Sequence, residues 1–353
     1  MIHRECGVFK TSYRADMALY PLPLARATAA IAVAGLVALP WLVPARYLVW
    51  ASLTGIAAIG AVGLNLLTGS AGLISLGHGA FLATGAYSAA NLASRLHLPF
   101  WVAVPAAGAV AAAFGLLVGL PSRRVKGIYL AVATIAAQFM IEWTINHVRW
   151  IAGGAQATVS LPPPTVGPWR LDTEAERYLL ILAVAVIAVT VGLNIGRSRL
   201  GRAFVAVRDR DIAAEVIGVD VARTKLAAFA VSSAFAGVAG ALWAYYLGVA
   251  NYEMFTITVS IEYLSMVILG GLGSVLGSVY GAAFVTMLPL ALRDVLERFR
   301  WLVPAGDVGT FVARLRLVLF GSLIIVFLVT EPEGLARLWR KVKDYFRLWP
   351  YRY

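Results

Sequence analysis

The residues able to do chemistry in this sequence are few, and most of them sit inside apolar runs. Glu262 lies in "SIEYLSM", early in such a run. A carboxylate within a membrane-crossing helix is costly and is a functional candidate by default. Three uses are open to it: meeting an ammonium group, holding a helix break, or bonding backbone N–H groups where a helix starts at the outer interface. His78 stands between glycines in "SLGHGAF", either as a ligand or as a packed, hydrogen-bonded histidine. Asn65 and Ser75 can line a polar path or bond across helices. Gln138 and Glu142 are four residues apart, on one helix face, and Glu142 is close enough to the outer end to reach water. Asn65, Ser75, His78, Gln138 and Glu262 are therefore the candidate substrate path. No G-x-x-x-x-G-K-[ST] stretch is present to cradle ATP phosphates. There is no paired Cys/His metal spacing and no nucleophile elbow. The expectation is a chain that is not an enzyme and binds neither metal nor cofactor itself.

The elements that position these residues are membrane helices. Only 14% of the 353 residues are charged and 60% are hydrophobic, against about 25% charged in a soluble domain. The mean hydropathy is +0.80. A spanning helix needs about 20 mostly apolar residues, and such runs fall near 27–44, 47–67, 73–94, 100–120, 127–148, 178–196, 226–249, 258–271, 275–292 and 313–330. The fold class is all-α, a polytopic integral membrane protein with about ten crossings. The net charge of +12 comes from 30 Lys+Arg against 18 Asp+Glu. These bases cluster between apolar runs, which fits the positive-inside rule better than nucleic acid. Arg123, Arg124, Lys126, the insert at 197–225 and the tail at 336–353 then face the cytosol, and Asp172, Glu174 and Glu176 face outward. Both termini are expected in the cytosol, with 1–26 a polar N-terminal segment in which Met17 is an alternative start. The single cysteine, Cys6, excludes an internal disulfide.

Two glycine-rich stretches read as helix breaks: "TGSAG" with Gly69 and Gly72, and "GGLGS" with Gly270, Gly271 and Gly273. Broken helices at membrane depth are tolerated where they line protein or water. Small residues also serve close helix packing. The polar stretch "GRAFVAVRDRDIAAEVIGVDVARTKLAAFA" is different. Ala203, Val207, Ala214, Ile217 and Leu226 fall at helical spacing, Asp209 or Asp211 can cap a short helix, and Gly218 can end it. A short helix, a turn and a second helix leading back to the membrane would form either an ordinary surface loop or a docking element.

The insert resembles the cytoplasmic coupling loop of importer-type ABC permeases. In that family Glu-Ala-Ala is followed, after three residues, by Gly. Here "IAAEVIG" supplies Ala213, Ala214 and Gly218, with Ile212 in place of the Glu and Glu215 three residues before the glycine. That departure resembles the LivM-like permeases of branched-chain (hydrophobic) amino-acid importers. "GLNLLTGSAGLISLGHGAFLATGAY" and "SIEYLSMVILGGLGSVLGSVYGAA" resemble the signatures of that branch, as does "EPEGL" after the last span. The resemblance covers roughly residues 50–335 and implies the ABC permease fold across 27–335. It implies a translocation path through the bacterial inner membrane and coupling through Asp211, Ala213, Ala214, Glu215 and Gly218. The implied partners are a second, related permease, two cytosolic ATPases that use the ATP, and an extracytoplasmic solute-binding protein. The outer loop keeps Gly153 and Gly154 of the family pattern but lacks the Asn-Gly that usually follows. That leaves aromatic amino acids, amides or urea open as solutes beside branched-chain amino acids. The rival reading is an ion-coupled secondary transporter using Glu262, which has no evident use for the insert.

Overall fold

The computed structural model describes residues 23–125, 127–152, 158–166, 169–298 and 334–348, with isolated positions between 315 and 329. Helix α1 is Pro23–Leu42, and α2 is Ala45–Asn65, closing in a wide π-turn, Leu66–Ser70. Helix α3 is His78–Arg95, α4 is Phe100–Gly119 and α5 is Ile128–His147. Helix α6 is Glu174–Arg197, and the insert forms α7, Arg199–Asp209, and α8, Asp211–Val216. Then follow α9, Val221–Leu247, α10, Ile257–Gly270, α11, Val275–Arg298, and α12, Gly334–Leu348. The caps are local: Thr173 and Glu176 form a reciprocal capping box on α6, and the Asp220 side chain accepts from the Arg223 N–H at the start of α9. Each satisfies N–H groups that a helix start leaves without partners.

Seven of the described helical stretches are long and apolar enough to cross a membrane: Ala45–Ser70, Phe100–Arg123, Ile128–His147, Glu174–Arg197, Val221–Leu247, Tyr252–Gly270 and Val275–Leu292. The count of about ten expected from the sequence is thus not reached among the described residues. The apolar part of α1, Arg26–Leu42, is shorter. Helix α3 falls short because it carries Thr84, Ser88, Asn91 and Ser94, and protein encloses most of it. The expected span at 313–330 lies largely outside the described residues, as do Cys6, Met17, Lys126, Gly153, Gly154 and Glu331. The block at 258–292 is two helices, α10 and α11, joined by a turn through Gly271 and Gly273.

Helix α9 is the centre of the bundle and packs on α2, α3 and α4. Along α3 the contact is backbone against backbone: a side chain on Gly85 would enter Gly237, and one on Gly240 would enter the Leu82 peptide. On α4, a side chain on Gly108 would come within 2.9 Å of Val238. Small residues permit this approach, and in lipid the packing it allows is a main source of helix association. Helix α2 joins this block to α6 and α11, while α10 and α11 lie antiparallel. Two small antiparallel pairs lie in the loops, unanticipated from sequence. Strand β1, Thr158–Ser160, pairs with β4, Val249–Asn251, with Val159 opposite Ala250, and β2, Thr165–Val166, pairs with β3, Trp169–Arg170.

Candidate functional site

The insert is a helix pair with one face buried and one bare. Helix α7 buries Gly201, Phe204 and Val207. Helix α8 buries Ala214 alone, leaving Ala213 and Glu215 exposed and Asp211 half-buried. Its other apolar residues point outward: Ile212 is 74% exposed, Val216 83% and Ile217 76%. Three large apolar side chains thus stand together on the face that the bundle leaves uncovered. The helix begins at Asp211 with Arg210 at its N-cap, so neither Asp209 nor Asp211 caps it from that position. Asp211 instead accepts from the Ile212 N–H at 3.0 Å, and Asp209 pairs with Arg208 at 3.0 Å. Gly218 ends α8 as expected. Its φ of 89° is left-handed, its N–H donates to Glu215 O at 3.0 Å, and Val219 N–H donates to Ala214 O at 2.9 Å. These two bonds make a Schellman cap, which favours glycine at that position.

The two glycine-rich breaks, some 200 residues apart in sequence, meet beside the insert. Asn65, 1% exposed, bridges them. Its amide nitrogen donates to Ser274 O at 2.7 Å and Ser278 Oγ at 2.6 Å, and its oxygen accepts from Gly273 N–H at 2.8 Å. Gly69 abuts Gly273, and Gly270 abuts Gly277. Gly72 has a φ of +70° and Gly271 one of +117°. Arg208 of α7 reaches into this cluster, where Nη1 donates to Gly69 O at 2.9 Å. Of the two uses the sequence leaves open to Asn65, lining a path or bonding across helices, its amide makes the bonds across helices that join the breaks. Arg208 escaped notice because nothing in "VRDRD" separates it from its neighbours.

A second junction lies deeper. After the π-turn, residues 71–77 run back beside α2, so that α3 starts level with Gly60. That is ten residues from the end of the π-turn, about 15 Å at 1.5 Å per residue. His78, fully buried, contacts Gly60 O through Nε2 at 3.1 Å. A carbonyl only accepts, so Nε2 carries the proton. The chain also dips from the far end, through Tyr252–Phe255, before α10 begins. The two helix starts meet: Gly79 N–H donates to Ser260 Oγ at 2.7 Å, and Gly79 lies against the carbonyls of Phe255 and Thr256. Gln138 of α5 braces the junction, donating to Phe255 O at 2.6 Å and to Glu142 at 2.9 Å. Three buried polar atoms here have no hydrogen-bond partner among the described residues: Ser75 Oγ, His78 Nδ1 and Tyr263 OH. The rings of His78 and Tyr263 are 5.0 Å apart. Glu262, half-buried on the second turn of α10, adjoins Tyr263. Ser75, His78 and Gln138 therefore share one region, with Glu262 next to Tyr263 in the chain of α10, and Asn65 belongs to the other. Ser260 and Tyr263 were missed because a serine and a tyrosine in an apolar helix carry no distinguishing pattern.

The chain matches the family described as "Branched-chain amino acid transport system / permease component" over residues 43–328. It is 32% identical over 327 residues to the high-affinity branched-chain amino acid transport system permease protein LivM of Escherichia coli K12, covering 86% of this chain and 73% of that one. It is 25% identical to the LivH permease protein of the same system and strain, covering 78% and 89%. It is also 32% identical over 231 residues to the autoinducer 2 import system permease protein LsrC of Klebsiella pneumoniae, covering 62% and 60%. No solved structure matches. A polytopic helical chain with an unbroken match through both junctions and the insert is a member of the branched-chain amino acid transport system permease family.

Proposed function

We propose that this chain is the membrane-spanning permease subunit of an ATP-driven ABC importer in the bacterial inner membrane, with both termini in the cytosol. The observation that carries the coupling part is the bare apolar triad Ile212, Val216 and Ile217 on α8. One of two cytosolic ATPases docks there and the other on a second, related permease that completes the path, and the pair hydrolyses the ATP. An extracytoplasmic binding protein delivers the solute. Closure of the ATPases moves α8, and the Schellman cap at Gly218 passes that movement into α9. To reverse a population from 1:99 to 99:1, nucleotide must favour one state by roughly 5.5 kcal/mol.

The solute is a branched-chain amino acid or a related small amino acid or amide. Ser75, His78 and Glu262 line its passage at the junction of α3 and α10, where unpartnered polar atoms gather. Relatives at similar identity carry the names of different solutes, which agrees with selection by the binding protein. The test is purification of this chain from detergent-solubilised native membranes, with its companions identified by mass. A P-loop ATPase and a second permease are expected. A chain that purifies alone and transports without ATP after reconstitution refutes the reading and returns Glu262 to the centre of an ion-coupled mechanism.

A further inference from the structure

Helix α8 touches only α7 and α9 among the described elements with substantial contacts. Helix α9 packs on α2, α3 and α4, but α10 and α11 are not among its substantial contacts. Those two helices, which carry the second break, need another route from the insert, and α7 supplies one. The Arg208 guanidinium is held by Asp209, with Nε and Nη2 both 3.0 Å from Oδ1. Its remaining nitrogen, Nη1, donates to Gly69 O at 2.9 Å. That carbonyl belongs to the closing π-turn of α2, where the chain leaves the helix and continuing backbone donors run out. A cation there also meets the negative end of the helix dipole. The fit is built: Gly72 has no side chain where a Cβ would sit 2.7 Å from Arg208 Cγ, and the corresponding point on Gly273 is 3.5 Å from Nη1. Gly273 is in turn bonded to Asn65 of α2.

We infer that Arg208 is the positioning residue that ties the insert to both helix breaks, so that movement of α7–α8 reaches α2, α10 and α11 together. This rests on the importer reading above. The test uses the complete complex in vesicles, measuring solute uptake and ATP hydrolysis in the same preparation. Arg208→Ala is expected to keep the ATPase bound and hydrolysing while uptake per ATP falls at least tenfold. Arg208→Lys keeps the stem against Gly72 and a cation for Gly69 O, and is expected to recover a third or more of the coupled uptake. Arg223→Ala removes an exposed arginine near the start of α9, 89% accessible, and is expected to match the wild type. Unchanged uptake per ATP in Arg208→Ala overturns the inference, as does loss of the ATPase from that variant, which would make Arg208 a docking residue. A wild-type complex without any ATPase would overturn the importer reading itself, and the tie with it.

Discussion

Asn65→Ala removes a side chain that bonds the end of α2 to the turn between α10 and α11. Three hydrogen bonds are lost, to Ser274 O, Ser278 Oγ and Gly273 N–H, at 2.6–2.8 Å. Cross-helix bonds in membranes average about 0.6 kcal/mol each, which sets a floor near 2 kcal/mol. Gly273 is exposed, so water can replace the lost acceptor with no burial penalty. A total near 2 kcal/mol is expected. At about 2.1 cal/mol/K of unfolding entropy per residue, a chain of 353 residues loses roughly 1.3 °C per kcal/mol, so the midpoint should fall by about 3 °C. The assay is stepwise heating of the detergent-purified chain, followed by the fraction that stays monodisperse on gel filtration. Ser278→Ala, which removes one of the three bonds, should shift the midpoint by less than half as much. A midpoint for Asn65→Ala within about 1 °C of wild type would mean that the breaks are held by packing alone, and the bridge described here would be incidental.

Four further outcomes are expected. Gly218→Val has open space for its side chain, so its cost is the left-handed backbone, about 1–3 kcal/mol; membrane levels should hold while uptake drops, and normal uptake would refute the coupling role. Ile212→Asp combined with Ile217→Asp should lower ATPase recovery in affinity purification at least tenfold, and undiminished recovery would place the docking surface elsewhere. Glu262→Gln should cut uptake several-fold with ATPase association intact; unchanged kinetics would reduce Glu262 to a structural residue. Gly85→Leu should remove the chain from the membrane fraction, since its side chain has no room against Gly237, and normal abundance would contradict the seam.

The sequence carried the helices well because apolar length is a strong signal, and α2, α4, α6 and α9 fall close to where hydropathy places them. Gly218 was equally legible, since a glycine after a short helical run has a defined backbone use. Legibility failed where partners are distant in sequence. Asn65 was readable as a residue that bonds across helices or lines a path; that its partners are Gly273, Ser274 and Ser278 is a property of tertiary contact. The capping expectation for Asp209 or Asp211 failed for a local reason: the helix starts at Asp211 with Arg210 at its N-cap, and Asp209 pairs with its neighbour Arg208. The head-to-head meeting of α3 and α10 was invisible because the irregular segment 71–77 is as apolar as a helix, and hydropathy does not register the change of backbone.

The enclosure of α3 bears on how the protein is made. Its polar and small residues leave it less apolar than the other spans, so lipid alone offers it little reason to leave the insertion channel. Its main neighbour, α9, emerges more than 120 residues later, which at about 5–20 residues per second is roughly 6–25 s of synthesis. Helix α4 follows at once, has a mean hydropathy of 2.1 over its span and packs on α3. The two therefore enter the bilayer as a hairpin, with α4 escorting α3 until α9 arrives to close over it.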